Sequence, residues 1–234
     1  MDKTQQDRTV YVRRFGRALS GSRKTALEKY QPLTALPDDF YSVGDLVSPF
    51  TLFDHQPDKI WIEIGFGSGD HLAEQMKRHP DVGFIGVEPF VNGVSTFFTL
   101  IDEALAKRVR IEMDDAVTLC EKLEPASVER IYVLNPDPWH KKKHHKRRII
   151  RPETLDIYAR ILKPGAELIF SSDVEYLNEW MLCHATSHPK FCWEIGRWDD
   201  CYRTPEGWVK TRYELKGAKG AKQQAYFKFI RTDD

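Results

Sequence analysis

The residues of this chain that could do chemistry gather around one glycine-rich turn, Glu63-Ile64-Gly65-Phe66-Gly67-Ser68-Gly69-Asp70. Glycine lets a backbone approach a ligand where any Cβ would collide, so Gly65, Gly67 and Gly69 form a candidate binding loop. The dinucleotide fingerprint GxGxxG needs glycine at position 70, where Asp70 stands, and Glu63 lies two residues upstream of the loop. Three more acids recur in the same setting: Glu88, Asp115 (beside Asp114) and Asp137 each follow a short apolar run that reads as a strand. In a doubly wound sheet such strand ends line one crevice, where ligands bind. Four carboxylates there repel a pyrophosphate and disfavour a dinucleotide or ATP. They suit a ligand with a sulfonium, an ammonium and ribose hydroxyls but no phosphate, a description that fits S-adenosylmethionine. Glu88, 25 residues after Glu63, is placed to grip a ribose diol, and Asp115 to accept from an adenine amino group. Taken singly, each acid also reads as a helix cap or a solvated loop carboxylate; the recurrence points to a methyl donor.

The most specific stretch is Leu134-Asn135-Pro136-Asp137-Pro138-Trp139-His140, continuing as Lys141-Lys142-Lys143-His144-His145-Lys146-Arg147-Arg148. With it the chain resembles the bacterial tRNA (guanine-N7)-methyltransferase family, whose signature is PDPW at the end of the fourth strand followed by a Lys/His/Arg run. The resemblance extends from Arg13 to Ile230 and takes in the Arg-rich N-terminal segment, GxGxG, Gly86-Val87-Glu88-Pro89-Phe90, PDPW and Thr211-Arg212-Tyr213-Glu214. It implies transfer of a methyl group from S-adenosylmethionine to N7 of a variable-loop guanosine in tRNA. It also implies that Glu63, Glu88, Asp115 and Asp137 contact the cofactor, with Asp137 as the catalytic residue. Lys141, Asp173, Thr211, Arg212, Tyr213 and Glu214 correspond to contacts with the RNA substrate. His140 and Lys143 fall where relatives vary and receive no role, and Asp114 remains an alternative to Asp115 at adenine.

Chemistry supports that transfer. N7 of guanine is an unprotonated lone pair on the major-groove edge, so no general base is needed. Attack on a sulfonium methyl moves positive charge onto the purine, and the protein must align the partners and stabilise that charge. Asp137, held between two prolines, suits a fixed negative charge better than a base. Glu214 offers acceptors for the N1–H and N2–H₂ donors that adenine lacks, Asp173 reaches the same nucleotide, and Trp139 can stack on an extruded base. Three rivals remain open: an amino-methyltransferase, for which Asn135-Pro136-Asp137-Pro138-Trp139 has one residue too many, a non-catalytic RNA-binding protein, and a small-molecule methyltransferase.

Alternating strand and helix patterns must position these groups. Apolar runs at 60–64, 83–87, 109–113, 130–134 and 167–171 read as strands, with helices over 71–77 (capped by Asp70), 91–106, 116–123, 153–162 and 175–186. Runs at 191–198 and 224–230 follow with no helix between them. This predicts an α/β, Rossmann-like class I methyltransferase fold, a seven-stranded and mostly parallel sheet ending in an antiparallel pair. Residues 38–234 then form one domain, and the Arg-rich 1–37 a flexible basic arm that orders on binding.

Net charge is zero from 35 basic and 35 acidic residues, yet the charges are segregated. Residues 141–151 hold seven Lys/Arg and no acid, and 8–29 hold seven against one, whereas 38–130 carry 18 acids and eight bases. A basic periphery around an acidic centre implies a polyanion outside and a cationic ligand inside. No run approaches a membrane span, no apolar leader is visible, and the four cysteines contain no CxxC pair. Together with what the resemblance implies, these features lead to the expectation of a cytoplasmic tRNA-binding enzyme without metal, a monomer or weak homodimer with no obligate protein partner. An organellar transit peptide is the alternative for the leader.

Overall fold

The computed structural model describes residues 14–42, 44–216 and 223–233. β-Branched and aromatic residues dominate β1 (Lys59–Ile64), buried from Ile60 onward, and β2 (Val82–Val87), buried throughout. They pair in parallel with each other and with β3 (Val109–Glu112) and β4 (Val128–Leu134), and β5 (Leu162–Ser172) extends the parallel set. β7 (Ala225–Arg231) runs antiparallel to β5, and the short β6 (Phe191–Trp193) antiparallel to β7. The seven-stranded order is β3-β2-β1-β4-β5-β7-β6, so the chain reverses outward from β1 and opens a crevice beyond the ends of β1 and β4.

Side-chain alternation sorts the two faces. Ile60, Ile62 and Ile64 of β1 join the core shared with α5 (Ala116–Lys122), α6 (Pro152–Ile161) and α7 (Glu175–Ser187). Trp61 turns to the other core, with α2 (Asp70–Arg78) and α3 (Val91–Phe97). Burying each large apolar side chain is worth roughly 1.5–3 kcal/mol, so both faces are strongly held.

Several elements differ from the sequence expectation. Residues assigned to a flexible arm include α1 (Gly21–Thr34), which lies against the body: Tyr30 packs on Phe98 at 6.1 Å, and Ala35 bridges to Ile111. Residues 1–13 of that arm lie outside the described residues. Gly69 (φ +74°), not Asp70, is the N-cap of α2; Asp70 enters the first turn and is taken by the Ser68 hydroxyl. The helix expected over 91–106 breaks into α3 and α4 (Glu103–Ala106), because Asp102 caps a new start at Leu105 N, 2.9 Å. Thr96 and Thr99 turn their hydroxyls onto carbonyls of the preceding turn just before the break. The strand expected over 191–198 stops at Trp193, since Arg197 N donates to Asp200 Oδ2 at 2.9 Å and begins a 3-10 turn, Trp198–Tyr202. A short helix, α8 (Arg212–Lys216), then precedes β7. No helix among the described residues is long and apolar enough to cross a membrane.

Candidate active site

All three loop glycines adopt positive φ: +73° at Gly65, +59° at Gly67 and +74° at Gly69. A Cβ at Gly65 or Gly67 would meet nothing within 4 Å, so the loop faces open space on the ligand side. At its back Gly93 of α3 comes so close that a Cβ there would lie 2.4 Å from Gly67 O. Glu88, at the end of β2, ties this arrangement together: its Oε2 accepts from Gly67 N at 2.8 Å and its Oε1 from Phe90 N at 2.9 Å. Burial raises the Glu88 carboxyl above its ordinary range, and the neighbouring charge of Asp137 pushes it further. Asp137 stands at the rim, open to solvent on one side, and partial desolvation raises it too. Glu88 and Asp137 therefore share the crevice above the loop.

The other two acids are engaged differently. Glu63 is 3% exposed and its Oε2 lies 2.7 Å from Nδ1 of His71, itself buried on α2. Asp115 caps α5, accepting from Val117 N at 3.0 Å and the Thr118 hydroxyl at 3.2 Å. Its neighbourhood is acidic, for Asp114, Asp115 and a hydrogen-bonded Glu112 all raise the Tyr41 phenol after burial has done so.

On the C-terminal side, Glu214 sits on α8 with Oε1 3.4 Å from Asn135 Nδ2 and Oε2 3.1 Å from Trp208 Nε1. Burial raises its carboxyl. The Thr211 hydroxyl accepts from Glu214 N at 3.1 Å, and the Tyr213 hydroxyl donates to Asp173 at 3.4 Å, so four of the expected substrate residues engage one another in two pairs. Arg212 and Lys141 are exposed. Asn135 is the joint: its Oδ1 accepts from Gln224 Nε2 at 2.9 Å while its amide nitrogen reaches Glu214, and it is two residues from Asp137.

His71, Asn135, Trp208 and Gln224 are the residues that sequence reasoning missed as parts of this site. Trp208 lies 5.6 Å from the His71 ring and 4.9 Å from Tyr226. Only Asn135 carried a signal, through its place beside PDPW. Trp208 and His71 lie only six and eight residues from Glu214 and Glu63, but no pattern marks them, and Gln224 reaches Asn135 from 89 residues away. Beyond the site, the basic run forms a 3-10 turn, Lys142–Arg147, with Lys142, Lys143 and Lys146 exposed.

Residues 57–226 match the family described as "Putative methyltransferase". The chain is 38% identical over 230 residues to a tRNA (guanine-N(7)-)-methyltransferase of Rhodospirillum rubrum, covering 98% of this chain and 90% of that one. It is 39% identical over 233 residues to a protein of the same name from Azorhizobium caulinodans, covering 99% of each. Among solved structures, the 16S rRNA methyltransferase KamB superposes with a TM-score of 0.55 at 16% identity, over 81% of this chain and 95% of that one. That last likeness is one of fold.

Proposed function

Since the chain belongs to the family of tRNA (guanine-N(7)-)-methyltransferases, we propose that it transfers a methyl group from S-adenosylmethionine to N7 of a guanosine in tRNA, forming 7-methylguanosine. The observation that supports the proposal is the hydrogen bond from Asn135 to Glu214, which ties the carboxylate we assign to reading the base to the segment that carries Asp137.

The crevice fits the donor by its chemistry: open space over Gly65 and Gly67, and two carboxylates, Glu88 and Asp137, for hydroxyls and positive charge. Glu88 would hold the ribose, Asp115 the adenine, and Glu63 would support the loop from below through His71. When bound, S-adenosylmethionine supplies an electrophilic methyl on a sulfonium. Asp137 keeps a fixed negative charge next to the purine as it becomes cationic, and takes no proton because N7 carries none. Glu214 accepts from guanine N1–H and N2–H₂, exchanging them for the Asn135 and Trp208 donors, and so orients N7. Lys141, Arg212 and the exposed lysines of the 3-10 turn draw the phosphates. With tRNA as its substrate, the enzyme would work in the cytoplasm as a monomer or weak homodimer.

The decisive experiment incubates the protein with labelled S-adenosylmethionine and unmodified tRNA, then applies borohydride and aniline, which cleave the chain at 7-methylguanosine. Cleavage at one variable-loop guanosine is expected. Label incorporated without such cleavage would overturn the assignment to N7, and nuclease digestion with mass spectrometry would name the atom instead.

A further inference from the structure

Arg148 ends the basic run, and by composition alone it is one more cation for the RNA backbone. Its surroundings differ from those of its neighbours. Lys141, Lys142 and Lys143 are exposed, whereas Arg148 is 3% exposed. Its Nε donates to Pro138 O at 3.0 Å and its Nη2 to Trp139 O at 3.4 Å. The guanidinium lies over two rings of α7, 4.6 Å from Trp180 and 5.5 Å from Tyr176. Trp180 is itself anchored, its Nε1 donating to Ile150 O at 2.8 Å. A guanidinium taken out of water is costly unless hydrogen-bonded, and here two of its five donors go to the two residues that follow Asp137. One of those, Trp139, holds φ at +44°, a conformation that bulky side chains rarely adopt without support.

We propose that Arg148 is a positioning residue, not a phosphate ligand: its fork to the Pro138 and Trp139 carbonyls, braced on Trp180, fixes the loop that presents Asp137 to the reacting purine. The inference rests on the role given to Asp137 above. Lysine cannot replace it, because an ammonium has neither the planar fork nor the same stacking on a ring. Loosening the loop misaligns Asp137 and lowers turnover while the exposed cations go on binding tRNA.

The test compares wild type, R148K, R148A, K143A and D137A by steady-state kinetics, calorimetric S-adenosylmethionine binding and tRNA binding across a salt series. For R148K, which retains charge and stem, kcat should fall by about 10–100-fold. Its KM for tRNA, its S-adenosylmethionine affinity and its slope of log K against log salt should match wild type. K143A should instead reduce that slope by about 0.7–0.9, the signature of one lost phosphate contact. R148A should reproduce or exceed the R148K loss. Full kcat in R148K, a salt slope reduced as in K143A, or loss of S-adenosylmethionine binding in R148K would each overturn the proposal; the last would make Arg148 a general stabiliser. D137A separates the two levels of inference: full turnover there removes Asp137 from the mechanism, whereas an inactive D137A beside a fully active R148K removes Arg148 alone.

Discussion

Glu88 is already satisfied before any ligand arrives, by Gly67 N and Phe90 N, and it is nonetheless pushed toward protonation by burial and by Asp137. A cationic ligand needs both carboxylates ionised. Because both values are raised, acid protonates them earlier than ordinary carboxyls, so affinity for S-adenosylmethionine should weaken as pH falls through those raised values. Calorimetry at about pH 5 and about pH 7.5 should show weaker binding in acid, with protons released on binding there. Glu88→Gln should flatten the dependence, and an affinity equal at both pH values would rule the mechanism out. Asp137→Asn should cut kcat by about 10²–10³-fold, as removal of one preorganised electrostatic group does, with donor binding largely kept. Glu214→Gln replaces one acceptor with a donor facing guanine's own donors. Its kcat/KM on tRNA should fall by about 5–150-fold, the equivalent of about 1–3 kcal/mol, while affinity for the methyl donor stays unchanged.

Among the elements, α3 and the glycine loop behave as one unit, since Gly93 touches the Gly67 carbonyl where no side chain fits. Gly93→Ala would drive its Cβ into the Gly67 carbonyl, so one backbone segment would have to move. The expected result is a donor affinity at least tenfold weaker and a melting temperature several degrees lower, for a strain of about 1–3 kcal/mol. Calorimetry and thermal melts of that variant check it. Elements with strong local patterns, such as β1, β2 and the helix after Gly69, were legible in the sequence because period and punctuation agreed. α1 was not: its polar surface and Pro32 look like linker, and only Tyr30 and Thr34 reveal that one side is buried. The break between α3 and α4 was equally hidden, since Asp102 reads as an ordinary helix-surface acid until its capping bond is seen. In the site, the glycine loop and the acids were visible as types and spacings. The partners that decide what each acid does, His71 for Glu63 and Trp208 for Glu214, come from α2 and from the loop after β6 and share no local pattern with them.

At the scale of the whole molecule, charge segregation predicts behaviour that a neutral total conceals. Exposed lysines of the 142–147 turn begin five residues after Asp137, which shares an acidic crevice with Glu88, so the two substrates would meet fields of opposite sign. Binding of tRNA should weaken linearly in log salt, and the double variant Lys142→Ala, Lys143→Ala should reduce the slope by about 1.4–1.8. Filter binding across a salt series measures it, and a slope unchanged from wild type would place the phosphates elsewhere. The sheet order carries a consequence for synthesis. β7 lies between β5 and β6 but comes after both in the chain. As the ribosome delivers the protein, β5 keeps a bare hydrogen-bonding edge and β6 waits without its neighbour until residue 231 has emerged. An exposed edge of that kind invites pairing with another nascent chain, and a truncation within 225–231 would unseat two strands at once.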